Sequence, residues 1–348
     1  MSWVRLIHRA KLEQRDDPWR VWIETCVTTG SMLVFGLRAL AVSLFSGGRA
    51  MLDSLRRIHA QSVVAQTLQE LSVPDGMFLV MQPIMSMAQP YASLNFEVLL
   101  RVRAENGAIV PPAELIATAE DSGCIALIDR WVLESVLGWM SANRHALGNT
   151  RFVCVNISGG SLNDDRFVEM ICAMLDRHRA IAHFLCLEIT EHVALRDLEH
   201  TQRFISRVHE MGAKVALDDF GAGQTSFRYL KALAFDVLKL DGTFVRTMCE
   251  HPADTAIVEA LVSLARTLGM HSIAEWVEDV DTLRALKKIG VDYVQGFAIA
   301  QPQASDEILG VSSAAGFVES EEVARFIDGW GRSDVRMEFV EEEVAEAI

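Results

Sequence analysis

The six cysteines of this 348-residue chain never occur at CxxC spacing, which removes the pattern of sulfur-ligated metal sites and dithiol redox motifs. Several lie in apolar runs, as reduced core cysteines do, and imply a reducing cytoplasm. None of the ten histidines forms a HExxH or HD-type pair, so no histidine metal site is expected. No cleavable signal peptide is evident, because residues 1–20 mix both charges before any apolar run. There is also no basic face for a nucleic-acid duplex: the net charge is −15. That charge is unevenly placed. Glu319 to Ile348 carries ten acids against three arginines, so the body is far less acidic and a phosphate-bearing substrate is not excluded.

What is present is enough apolar residue for a large core, at 50% hydrophobic against 23% charged. Three regions follow from the patterning: a mainly helical segment over 1–75, a regular alternating region over 76–310, and an acidic extension over 311–348. Cys26 to Phe45 is long enough to cross a bilayer and would allow membrane association through residues 26–45. Arg38 within it costs roughly 2.5–3.5 kcal/mol at a bilayer centre, and Thr28, Thr29, Gly30 and Gly36 weaken the case. A buried or partner-binding helix is the expectation.

From Met77 onward, eight strand-like runs alternate with helical patterns: Phe78–Gln82, Leu94–Val102, Phe152–Ile157, Phe184–Ile189, Lys214–Asp218, Val237–Asp241, Ser272–Glu275 and Tyr293–Gln295. Eight strands over about 220 residues fit one (β/α)8 barrel of the TIM type, an α/β fold. The link from Gln82 to Leu94 is short for a helical crossover. The first strand is therefore expected to run antiparallel.

Buried parallel strands should read as apolar throughout. Seven of these instead carry a polar residue, often near the C-terminal end: Glu97, Asn156, Glu188, Asp218 with Asp219, Lys239 with Asp241, Glu275, and Gln295. That end is where (β/α)8 active sites sit. The pair Asp218–Asp219, taken alone, reads slightly better as a solvated turn or a helix N-terminus than as a metal or proton-transfer site. Its company decides. Five carboxylates against Lys239 leave a charge that two divalent cations would cancel, and all-oxygen ligation favours Mg²⁺ or Mn²⁺. Two such ions suit in-line displacement at phosphorus. Adjacent strand residues face opposite sides, so both aspartates reach one site only if the chain turns, and Gly221 and Gly223 are the expected turn.

The chain closely resembles the EAL-domain family of cyclic-di-GMP phosphodiesterases over roughly Gly76 to Pro302. The correspondence runs through Gln82-Pro83-Ile84, Glu97-Val98-Leu99 with Leu100-Arg101, Asn156-Ile157-Ser158, Glu188-Ile189-Thr190-Glu191, Asp218-Asp219-Phe220-Gly221, Lys239-Leu240-Asp241, Glu275-Trp276-Val277-Glu278 and Gln295-Gly296-Phe297. The resemblance implies hydrolysis of cyclic-di-GMP to linear pGpG with two Mg²⁺ or Mn²⁺ ions per site. Glu97, Asn156, Glu188 and Asp218 look like ligands of one metal, and Asp218 with Asp219 and Glu275 of the other. Lys239 and Glu275 are the implied catalytic groups. Gln82, Leu99, Arg101, Asp241, Glu278 and Gln295 would serve the substrate, with Gln295 also supporting the cluster. Glu191, Phe220 and Gly221 belong to a loop linked to metal binding and homodimerisation through the barrel.

Three departures stand out. Val98 replaces the alanine of the name motif without touching the ligand. Gln224 stands where the loop usually has an aromatic. The first 75 residues lack the Gly-Gly-Asp-Glu-Phe signature of the cyclase domain that often precedes this one. The alternative to an enzyme is a catalytically silent cyclic-di-GMP receptor signalling through a protein partner, but such receptors have usually lost ligands or the base, and this sequence keeps them all.

Overall fold

The computed structural model describes residues 76–103, 107–110, 112–221 and 230–330. The segment 1–75, the apolar run 26–45, Gly223, Gln224, the first half of the helix expected over Ser226–Leu233, and the tail beyond 330 lie outside the described residues. The chain divides into two compact units, one of residues 79–100 with 129–348, the other of 1–78 with 101–128.

The larger unit is built on a closed barrel. Its strands are β1 (Met77–Ser86), β2 (Asn95–Arg103), β4 (Val153–Asn156), β5 (Leu185–Thr190), β6 (Lys214–Phe220), β7 (Val237–Leu240), β8 (His271–Ala274) and β9 (Tyr293–Val294). Two short strands flank them, β3 (Ile109–Val110) on β2 and β10 (Gln303–Ala304) on β1. From β2 through β9 every barrel neighbour pairs in parallel. β1 pairs antiparallel with β9, with Met85 opposite Val294, and closes the ring against β2. The reversed first strand is as the short link required: Met87 to Leu94 has room for a hairpin turn and none for a crossover helix.

Helices between strands bury apolar stripes, and several begin at a capping aspartate side chain. In Asp165–Arg177 the buried positions Phe167, Val168, Ile171, Met174 and Leu175 recur at helical spacing, and Asp164 accepts from Arg166 N at the start. Asp197 and Asp279 cap Leu198–Glu210 and Val280–Ile289 in the same way. Such caps satisfy amide groups that have no partner within the helix, each worth about 1 kcal/mol. The smaller unit's described part holds helix Ala113–Asp121, begun at Pro112, and the β2–β3 pairing of Val102 with Val110.

One feature of the barrel interior positions everything else. Ile84, Cys154, Cys186, Ala216, Val237, Ile273 and Tyr293 form one buried apolar cluster. Strand side chains repeat every second residue, so the next inward position along each parallel strand is Asn156, Glu188, Asp218, Lys239, Glu275 and Gln295. On β1, which runs the other way, the corresponding residue comes two places earlier and is Gln82. With Glu97 from β2, a polar layer lies directly over an apolar floor, with a residue from each of the eight strands.

Candidate active site

Lys239 is the centre of that layer. It is 1% exposed, and its Nζ lies 2.8 Å from Glu275 Oε1, 3.1 Å from Glu188 Oε2, 3.1 Å from Asp218 Oδ1 and 3.5 Å from Glu97 Oε2. A buried ammonium is tolerated only with partners this close. Asn156 Nδ2 donates to Glu97 Oε1 at 2.7 Å and to Glu188 Oε2 at 3.3 Å. Gln295 Nε2 donates to Glu97 Oε2 at 2.8 Å and to Gln82 Oε1 at 3.3 Å. Gln82 in turn donates to the Ala300 carbonyl at 3.3 Å. Eight residues singled out from separate strands are thus one connected network.

The environment sorts the titrating groups. Burial pushes Glu188 well above the usual carboxylate range and raises Glu275 to about 8, against the pull of Lys239. Asp219 is raised by burial and by Asp218 beside it. For Glu97 burial is outweighed by Lys239 together with the donors Gln295 and Asn156, and its carboxyl sits below the usual value. Lys239 feels burial as a downward push, but Asp218, Glu188, Glu275 and Glu97 overcome it and hold the ammonium charged far above neutral pH. In the metal-free site Lys239 is thus held charged by its four carboxylate neighbours.

The two aspartates reach the site by a route other than the expected one. β6 continues through Phe220, and its pairing with β7 slips between Leu217 and Phe220. Asp219 itself adopts φ +53°, a left-handed conformation uncommon outside glycine but accessible to aspartate. The turn expected at Gly221 and Gly223 thus starts earlier, at a bulge inside the strand. Asp218, Asp219 and Glu275 have ligand oxygens within 4.8 Å of one another. Phe220 is buried, and Gly221, at φ +108°, donates its N–H to Glu191 Oε2 at 3.0 Å. A Cβ on Gly221 would press on the Phe244 ring at 3.0 Å.

A divalent cation fits this donor set. Glu188 Oε1 and Gln295 Oε1 are buried with no hydrogen-bond donor among the described residues, and Asp218 Oδ1 meets Lys239 only as a charge contact. Acceptor oxygens without donors are costly unless a cation answers them. One ammonium also cannot neutralise five carboxylates. The donors are hard oxygens, which suit Mg²⁺ or Mn²⁺ rather than a thiolate-seeking ion.

The remaining expected residues spread around this core. Asp241 is the N-cap of helix Gly242–Thr247, accepting from Thr243 N at 2.6 Å. Glu278 is half-exposed and 3.7 Å from the Arg246 guanidinium. Leu99 and Arg101 follow Glu97 on β2 at two-residue steps, both partly exposed. Sequence reading missed Asp129, a buried carboxylate that holds Ser158, just beyond Asn156, through its N–H at 3.0 Å and its Oγ at 2.5 Å. Its only signal was an acid in phase with the apolar stripe of Ile125, Val132 and Leu133.

Comparison with known proteins agrees with this geometry. The chain is 33% identical over 248 residues to the cyclic di-GMP phosphodiesterase PdeF of Escherichia coli K12, a match covering 71% of this chain and 33% of that protein. The chain spans about a third of the length of this relative. Among solved structures it is similar to the PaMucR phosphodiesterase in complex with c-di-GMP, with TM-score 0.65, 28% identity, 71% of this chain and 99% of the other. It is also similar to the FimX EAL domain of Pseudomonas aeruginosa bound to c-di-GMP, with TM-score 0.60, 27% identity, 70% of this chain and 95% of the other. The family model described as EAL domain matches residues 65–302. With that model covering more than half of its length, the chain belongs to the EAL domain family.

Proposed function

We propose that this protein hydrolyses cyclic-di-GMP to linear pGpG. The observation that carries the reading is the polar layer, in which eight strands converge on Lys239 and its four carboxylates with buried acceptor oxygens left for a cation. Glu97, Asn156, Glu188 and Asp218 would hold one divalent ion, and Asp218, Asp219 and Glu275 a second. When bound, such ions lower the pKa of a water and offset charge on the phosphoryl oxygens.

The chain's own residues divide the rest of the work. Lys239, ringed by four carboxylates, is assigned to orient a nucleophilic water and balance charge at the centre. Glu275, whose carboxyl lies 2.8 Å from Lys239 Nζ, is the other implied catalytic group. Asn156 and Gln295 fix the carboxylate of Glu97. Arg101, whose guanidinium can bind a phosphate through paired donors, is assigned to the substrate with Gln82, Leu99, Asp241 and Glu278. Assembly as a homodimer through the barrel, a cytoplasmic setting and Mg²⁺ or Mn²⁺ as the resident ions belong to the same proposal.

The test is purified full-length protein with cyclic-di-GMP and Mg²⁺ or Mn²⁺, followed by chromatography for pGpG. The expected result is metal-dependent product, abolished by a chelator. Tight binding with no product under either ion would replace the enzyme with a receptor.

A further inference from the structure

Asp129 is a buried carboxylate that belongs neither to the metal ligands nor to the catalytic groups. It is 7% exposed and lies on the helix Ile125–Ala142, one turn from the buried Ile125, Val132 and Leu133. An apolar side chain would complete that stripe, whereas a carboxylate taken out of water is costly unless donors reach it. Its presence is explained by what it holds. Asp129 Oδ2 accepts from both the N–H and the Oγ–H of Ser158, at 3.0 and 2.5 Å. Ser158 Oγ also lies 3.0 Å from Oγ of the buried Ser161. Hydrogen bonds to an ionised acceptor are roughly twice as strong as neutral ones.

Ser158 stands where β4 leaves the barrel. The strand ends at Asn156, opposite Glu188, and the last bond to β5 runs from Ile157 N to Glu188 O at 2.8 Å. The helix that Ser158 opens, Gly159–Leu162, has four residues and receives no capping bond from the Ser158 side chain. A single turn of helix fixes little by itself, so the end of β4 needs an anchor from outside. Asn156 is the residue that depends on it. Its Nδ2 is engaged by Glu97 and Glu188, which leaves the amide oxygen as its atom for an ion.

We propose that Asp129 is a positioning residue for Asn156. By clamping Ser158 it holds the end of β4, so that Asn156 keeps its amide on the two carboxylates and its oxygen available to the cation. The inference rests on the proposed reading of Asn156 as a metal ligand and adds to it the group that sets that ligand in place.

The experiment titrates full-length protein with Mn²⁺ alone, reading free Mn²⁺ by electron paramagnetic resonance, alongside melting temperatures in chelator. Asp129→Leu completes the apolar stripe while removing the acceptor. It should weaken Mn²⁺ binding about 10- to 100-fold, as loss of a partner group behind a metal ligand does. Asp129→Asn, which keeps an acceptor oxygen, should stay within a few-fold of wild type. Ser158→Ala, which keeps only the N–H, should fall between them. Asp129→Leu combined with Ser158→Ala should bind no more weakly than Asp129→Leu alone, because both act through one contact. Elevated Mn²⁺ should restore kcat on cyclic-di-GMP in these variants. A merely structural Asp129 would lower the melting temperature in chelator and leave the Mn²⁺ affinity of the folded protein unchanged. That result in Asp129→Leu, or in Ser158→Ala should the leucine variant not fold, would overturn the inference, as would additive losses in the double variant. Wild-type protein that binds Mn²⁺ but forms no pGpG would overturn the hydrolase reading and leave this inference standing. Wild-type protein that binds no Mn²⁺ would overturn both.

Discussion

Replacing Lys239 by methionine asks whether the ammonium is the internal counter-charge of the site. The two side chains are of similar length, so packing changes little while the charge disappears. What remains is a buried group of carboxylates, four of which had Nζ within 3.5 Å. Removing one partner of a buried ion pair costs about 3–5 kcal/mol, because the other is left unanswered. At about 2–4 °C per kcal/mol for a domain of this size, Lys239→Met should melt about 6–20 °C below wild type by calorimetry in a chelator at neutral pH. Two further readouts separate charge from packing. The deficit should shrink near pH 5, where carboxylates protonate and need no partner. Added Mg²⁺ should raise the variant's Tm more than the wild type's, since the uncompensated charge to be neutralised is larger. Product formation should fall by about a hundredfold or more, a loss of roughly 2.7 kcal/mol or more in transition-state binding. A variant melting within about 2 °C of wild type in chelator, at both pH values, would refute the argument.

The other predictions concern the acids. Glu275 has a folded-state pKa raised from 4.5 to about 8, so between those values the native state binds a proton that the unfolded chain releases. Stability of the metal-free protein should therefore fall as pH rises from about 5 to about 8, at up to about 1.4 kcal/mol per pH unit, and Glu275→Gln should flatten that slope. Urea titrations in chelator showing stability rising or level across the window would contradict it. Glu188→Gln removes a carboxylate that burial disfavours, so it should be at least as stable as wild type without metal. It should also lose most of the Mg²⁺-induced rise in Tm. An undiminished Mg²⁺ response would take Glu188 out of the ligand set.

Much of this was legible because burying charge is expensive. Glu188 in Leu-Cys-Leu-Glu-Ile-Thr and Lys239 in Val-Leu-Lys-Leu stand out within strands that should be wholly apolar, and only a shared site explains them together. The direction of β1 was legible because chain length limits a crossover. Less accessible was the conformation at Asp219. Its left-handed φ accompanies a slipped pairing between β6 and β7, and register depends on the partner strand rather than on local residues, so the glycines drew the eye instead. Helices Glu191–Arg196 and Gly242–Thr247 are too short for a hydrophobic period to reveal them. Asp241 was legible as the polar end of its strand, but its capping of Gly242–Thr247 was not.

The reversal of β1 changes where the barrel is entered. In a barrel wound wholly parallel, the chain comes in at the floor and meets the chemistry only as each strand ends. Here Leu79 and Val80 lead in from the site's own side, and Gln82 is reached before the apolar floor at Ile84. Gln82 is bonded to Gln295, and Gln295 to Glu97. A displacement of β1 along its own axis would thus travel through two hydrogen bonds to the Glu97 carboxylate. The chain's entry into the barrel and its polar layer share one end.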